Sequence, residues 1–165
     1  MRTFTRPAAV GAAALLLVGL SGCSAIFGAG EPERDAETGE ITEASDADVF
    51  AIRVGDCLES AEMGTEVSSL PTVPCDQPHD SEAYASTMLD DGEFPGLDEV
   101  GTVANDYCLE EFATFVGTDY YDSELEMSTL SPSEDTWTTL DDREVLCLVL
   151  DMEGGVTGSL KGAQR

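Results

Sequence analysis

The sequence predicts an α+β domain: a small mixed or antiparallel sheet with one long amphipathic helix packed on it, stabilised by disulfides. Three observations carry the prediction. Apolar residues between Leu97 and Val116 recur with a helical period. The run Val145-Leu146-Cys147-Leu148-Val149-Leu150 is unbroken and of strand length, the pattern of a strand buried on both faces. The other apolar segments are short and bounded by Gly, Pro or Asp turns, the pattern of further strands beside a single long helix.

An export signal comes first. Arg2 and Arg6 form a basic leader, and Ala8 to Leu20 contains only Ala, Val, Leu and Gly. That run falls short of the roughly 20 apolar residues a spanning helix needs. It ends in Leu20-Ser21-Gly22-Cys23, small residues ahead of a cysteine, which reads as a lipoprotein cleavage box. Residues 1–22 are therefore expected to be a lipoprotein signal peptide. Cys23 becomes the lipidated first residue, anchored to the cell membrane on its extracytoplasmic face.

Cleavage there removes Arg2 and Arg6 and no acid, so the net charge goes from -27 to -29. Such a charge argues against nucleic acid, which is bound by Lys and Arg on phosphates. It also argues against a domain lying flat on anionic lipid. Residues 23–47 read as the lipidated cysteine and a disordered acidic tether. They hold Gly28, Gly30, Pro32 and Gly39 among Glu31, Glu33, Asp35, Glu37, Glu40, Glu43 and Asp46. A coil of that length stands the domain off the membrane by on the order of 25–30 Å.

The globular domain is expected over residues 48–165. Val49-Phe50-Ala51-Ile52 and Val54 form a first apolar segment, closed by Gly55-Asp56. Val67 to Val73 predicts a strand ended by Pro74. Glu82 to Leu89 predicts another, although its Ala and Met also suit a helix, and Asp90-Asp91-Gly92 closes it. Leu97, Val100, Ala104, Tyr107, Cys108, Phe112, Phe115 and Val116 share one helical face, opened by Pro95-Gly96 and stopped by Gly117. Leu125 to Leu130 alternates as a short strand. Ser131-Pro132 predicts a helix start, with Ser at the cap and Pro first inside, for a brief helix carrying Trp137 and Leu140. Glu144 to Met152 is the central strand, Gly154-Gly155 turns the chain, and Val156 to Leu160 returns as an edge strand.

With Cys23 committed to lipid, four cysteines remain in an exported chain, an even set that normally pairs. Three connectivities are open. Cys57–Cys75 with Cys108–Cys147 is favoured. The first closes a local hairpin-like stretch, and the second ties the helix's apolar face to the strand it should cover. No Cys-x-x-Cys motif marks a redox pair or metal site.

Candidate chemistry concentrates in Val73-Pro74-Cys75-Asp76-Gln77-Pro78-His79-Asp80-Ser81-Glu82, which holds the sole histidine. Two readings fit. His79 with Asp80 and Glu82 could bind a ligand or divalent metal, or act as acid and base in an envelope hydrolase. Alternatively, two prolines and a disulfide hold the string rigid, with His79 a hydrogen-bonding residue beside a turn. One histidine without a second ligand cluster favours structure. Trp137 and Arg143 form a weaker candidate patch, against which stands Trp137 in the core with Arg143 paired to an acid. Asp90-Asp91-Gly92-Glu93 and Asp119-Tyr120-Tyr121-Asp122 lack the alternation of an EF-hand loop. No nucleophile elbow, Walker loop or dinucleotide fingerprint is present, so no catalytic residue and no cofactor is assigned.

Several strings together carry a resemblance. They are Val54-Gly55-Asp56-Cys57-Leu58, the Cys75-to-Glu82 segment, Cys108 within its helix, Phe115-Val116-Gly117, Pro132 ahead of Trp137, Asp142-Arg143 before Cys147, and Gly158-Ser159-Leu160-Lys161-Gly162. In these the chain resembles the septum formation domain family of actinobacterial membrane and secreted proteins, over Val54 to Gly162. The family pattern has glycine before Asp-Arg, where this chain has Asp141. The resemblance implies a link to cell division and the envelope, with division or cell-wall proteins as partners, and the four cysteines as disulfide partners. It supplies no activity. The expected function is a non-catalytic lipoprotein that acts as an interaction module. Alternatives are the His79-based hydrolase and a small solute-binding lipoprotein, for whose usual two-lobed clamp the domain is small.

Overall fold

The architecture grows from the apolar run predicted as the central strand. In the computed structural model, which describes residues 30–165, that run is β6 (Glu144–Leu150). The predicted signal peptide and Cys23 lie outside the described residues. The other strands are β1 (Ser45–Asp48), β2 (Cys57–Leu58), β3 (Ser69–Val73), β4 (Ser81–Met88) and β5 (Glu126–Leu130). All six join one antiparallel sheet in the order β1-β3-β2-β4-β6-β5. Two helices complete the fold, α1 (Leu97–Val116) and α2 (Glu134–Thr139).

Strand alternation divides β6 between two cores. Val145, Cys147 and Val149 pack with Tyr84, Ala104, Cys108, Phe112 and Val116, the core beneath α1. Leu146, Leu148 and Leu150 pack with Ala47, Ile52, Leu58 and Leu70 on the opposite face. The second core exists because the sheet curls, bringing β1, β2 and β3 over the far side of β6. A register irregularity between Ala83 and Ala85 in the β4–β6 ladder gives the bend a local origin. Each fully buried Leu or Val contributes about 1.5–3 kcal/mol, so the two-faced strand is the main apolar asset of the domain.

α1 follows its predicted bounds. Val100, Ala104, Cys108, Phe112 and Val116 are its buried stripe. Leu97, placed on that face by the sequence, is exposed, because it opens the first turn beyond the edge of the core. Gly117 ends the helix at φ 83°, a left-handed conformation that favours glycine, and its N–H bonds the carbonyl of Ala113. The disulfides are Cys57–Cys75 and Cys108–Cys147, the favoured pairing among the three.

Four expectations need correction. Residues 30–47, read as disordered tether, belong to the folded unit. Gly30 bridges Ala47, Arg34 bridges Ile41, Ile41 is buried, and residues 45–48 form β1. Average composition hid two anchors: one apolar side chain, and one arginine that finds a buried carboxylate. Val49–Ala51 is a single 3-10 turn, capped by the Asp48 side chain. Ser133, not Ser131, caps α2, because its hydroxyl reaches the Thr136 N–H in a capping box while Pro132 stays outside, and Leu140 is exposed. Val156 to Leu160 makes one bridge, Val156 to His79, and no strand. Positive φ at Gly154, Gly155 and Gly158 bends that stretch away from extended pairing.

Candidate functional site

The string around His79 is built as a brace. His79 is 2% exposed and exchanges two backbone hydrogen bonds with Val156. Its Nδ1 lies 2.8 Å from the Gln77 carbonyl, which can only accept, so Nδ1 carries a proton. Asp80 accepts from the Ser60 N–H at 2.7 Å, the Ala61 N–H and the Ser81 hydroxyl. Glu82 accepts from the Ser159 hydroxyl at 2.8 Å and the Leu160 N–H at 2.7 Å. The two carboxylates thus fasten two different loops to β4. Among the described residues no three His, Cys, Asp or Glu side chains are grouped to hold a metal ion. The sequence put these three residues in one string; the structure gives each a separate anchoring contact.

Two arginines are anchors too, which is what so few cations in an acidic chain should become. Arg34 grips Asp56 with both terminal nitrogens, at 2.6 and 2.7 Å, and also donates to the Ala51 carbonyl. Asp56 is 4% exposed and takes the Arg53 N–H as well. Its carboxylate, with burial opposing, raises the Arg34 pKa above the ordinary value. Arg143 stacks 3.7 Å over the Trp137 ring and donates to the carbonyls of Trp137 and Asp142. Its other nitrogens face Asp141 and Asp91. Trp137 is buried, with its indole N–H on the Gly92 carbonyl. Asp141 has φ 57°, a left-handed position that suits the glycine of the family pattern and tolerates Asp. The Trp137–Arg143 pair is therefore interior, and its acidic partners Asp91 and Asp141 lie at the surface.

The open concavity lies elsewhere. A cleft of about 760 Å³ runs between the Val49–Ile52 turn with residues 63–68 and the opposing β5, α2 start and β6. Phe50, Met63, Val67, Leu130 and Leu146 give it an apolar lining, and Phe50 is 54% exposed. Its charged lining is Glu66, Asp142 and Glu144, with no Lys, Arg or His. Beside it runs an unpaired strand edge. β5 pairs only with β6, and none of its backbone groups bonds outside that ladder among the described residues. Sequence reasoning had no means to join residues 49–68 to 126–146. The alternation at 125–130 predicts a short strand and says nothing of its edge.

The chain thus builds a disulfide-stapled antiparallel sheet with one covering helix, a buried histidine and an open acidic cleft. The chain belongs to the septum formation family, whose model matches residues 27–164 and ties it to septum formation. The match begins before the predicted tether ends, in keeping with the ordered residues from 30 onward. No curated protein and no solved structure matches the chain.

Proposed function

We propose that this chain is a non-catalytic lipoprotein on the extracytoplasmic face of the cell membrane, acting in septum formation as an interaction module. One observation carries the reading. The sole histidine and its neighbouring acids are engaged in bracing loops, whereas the open concavity presents apolar side chains, hydroxyls and carboxylates beside an unpaired strand. That is equipment for holding a partner; a general base must instead reach its substrate. Cys23 supplies the anchor. Fully extended, Cys23 to Gly30 reaches at most about 25 Å, so the folded unit hangs close to the bilayer. Its acidic surface keeps it off anionic headgroups over roughly one Debye length. The partners on this reading are division or cell-wall proteins.

Cell fractionation and microscopy of a tagged chain test it. Wild type and His79→Asn should both pellet with membranes and gather at division sites, while Cys23→Ala should be released from the membrane fraction. Unchanged fractionation of Cys23→Ala removes the lipid anchor from the reading. Uniform distribution with no cross-linked division protein removes the septal role.

A further inference from the structure

We propose that the β5 edge is completed by an extended cationic segment of a partner protein, added as a seventh strand along Glu126–Leu130. The inference rests on the interaction-module reading and names the chemistry of the partner. Its first support is an asymmetry between the two ends of the sheet. At β1 the chain covers its own edge: Gly30 pairs alongside Ala47, and the Asp48 N–H bonds the Gly30 carbonyl at 3.0 Å. At β5 nothing comparable is present among the described residues. Edge strands are commonly blunted by proline, lysine, bulges or a covering segment. Glu126-Met127-Ser128-Thr129-Leu130 has no proline and no lysine, and its register against β6 is unbroken.

The second support is where side chains of an added strand would go. Glu126, Ser128 and Leu130 stand opposite Leu150, Leu148 and Leu146, the sheet face turned away from α1. Ser128, Leu130 and Leu146 line the cleft. A strand added at the usual spacing of about 4.8 Å would continue that face, so its alternate residues enter the cleft beside Phe50 and Val67. Main-chain hydrogen bonds then supply affinity and the cleft supplies selection, the division of labour of strand addition.

Charge fixes the sign of the occupant. The cleft carries Glu66, Asp142 and Glu144 and no base, within a chain of 34 acids and 7 Lys and Arg. A second copy pairing β5 to β5 would bring like charge against like charge, which disfavours association. A segment whose cleft-facing residues, every second position, include both Lys or Arg and apolar side chains meets both the carboxylates and the apolar lining.

The test uses the full chain in detergent and a labelled decapeptide, the Lys–Val peptide, in which every second residue is in turn Lys and Val with Thr between them, so that one strand face carries both. Saturable binding is expected, weakening as salt rises. The same peptide with Glu in place of each Lys should bind at least about tenfold more weakly. Glu66 and Glu144 are exposed, so the double variant Glu66→Lys, Glu144→Lys should fold normally and weaken the Lys–Val peptide about tenfold. Hydrogen exchange should slow at alternate amides of Glu126–Leu130 when the peptide is bound. Absence of binding, equal binding of both peptides, or binding without β5 protection overturns the proposal. So does β5 protection that arises from self-association in sedimentation, which makes the occupant a second copy. In cells, a photo-cross-linker at Ser128 is compared with one at exposed Met152. A division protein captured at Met152 and not at Ser128 leaves the interaction module standing and overturns the edge. None captured at either position counts against the module itself.

Discussion

The two ends of the sheet solve the same problem in opposite ways. β1 is closed by the residues just ahead of it, and Arg34 locks that segment down onto buried Asp56. β5 is backed by α1 on one face, and among the described residues its outer edge has no strand partner. A strand edge is a standing template for pairing. Protection at one end and exposure at the other therefore separate a structural boundary from a working surface. Each end also has its own cross-link: Cys57–Cys75 joins β2 to the turn after β3, and Cys108–Cys147 ties α1 to β6. The open edge is thus carried on a rigid support.

The largest expected effect breaks that support. Cys108 and Cys147 are fully buried and span 39 residues. By loop entropy alone, removing the bond costs about 4 kcal/mol, against about 3 kcal/mol for the 18-residue separation of Cys57–Cys75. The variant Cys108→Ala, Cys147→Ala should therefore show the larger drop in urea midpoint. Exchange should rise at β5 and β6 before it rises at β1. Equal losses from both disulfides, spread evenly over the sheet, would mean the two ends are not separately held.

Next in size is the clamp at the closed end. Asp56→Ala leaves the Arg34 guanidinium, whose side chain is 10% exposed, without its carboxylate. Breaking a buried pair by removing one partner costs about 3–5 kcal/mol, and we expect the low end because Arg34 keeps the Ala51 carbonyl. Replacing both residues, as Arg34→Met with Asp56→Leu, should restore much of the loss. In Asp56→Ala, limited proteolysis should cut within residues 30–44 and leave β4 to β6 intact. The closed edge would then resemble the open one.

How much of this was legible depends on the range of the interaction. α1 was readable because its stripe, Val100 to Val116, is local in sequence. β6 was readable because both of its faces are apolar. The pairing of Cys108 with Cys147 followed from those two elements together. The N-terminal boundary was misread because acidic composition says nothing about one arginine meeting Asp56 across a gap of twenty-two residues. His79, Asp80 and Glu82 looked like a site because they are adjacent in sequence. Their partners Gln77, Ser60 and Leu160 show each of them facing a different segment. The cleft was invisible because it exists only where the curl brings Phe50 and Val67 near Leu130.

A smaller effect follows from Tyr84, which fastens β4 to α1 by donating its hydroxyl to the Cys108 carbonyl at 2.6 Å. Burial, with the nearby negative charge of Glu111 adding to it, raises its pKa well above the ordinary phenol value. Below the unfolded tyrosine pKa of about 10 both states keep the proton, and the stabilisation is fully present. Above it the unfolded chain releases a proton that the folded chain retains, so stability falls as pH rises. Tyr84→Phe should cost about 1 kcal/mol at neutral pH and flatten the decline above pH of about 10. Urea titrations from neutral to alkaline pH measure both. The weakening should register in exchange at β4 and β6, next to the open end, sooner than at β1.

The smallest effect separates openness from weakness. Asp141 turns the chain from α2 into β6 at φ 57°, where glycine is unstrained, and its side chain pairs with Arg143 at 3.0 Å while 86% exposed. Asp141→Gly relieves the backbone and loses a surface ion pair worth about 0–1 kcal/mol. It also adds freedom to the unfolded chain, which costs about 0.4–1 kcal/mol. These terms nearly offset, so the net change should stay within about 0.5 kcal/mol. Asp141→Ala keeps the strained φ and loses the pair, and it should be the worse of the two. Neither variant touches the backbone groups along β5. Their exchange rates and the binding of the Lys–Val peptide should therefore match wild type, even where the melting point moves. A change in peptide binding that tracked stability alone would instead mean that the edge opens by local unfolding, and is not a built surface.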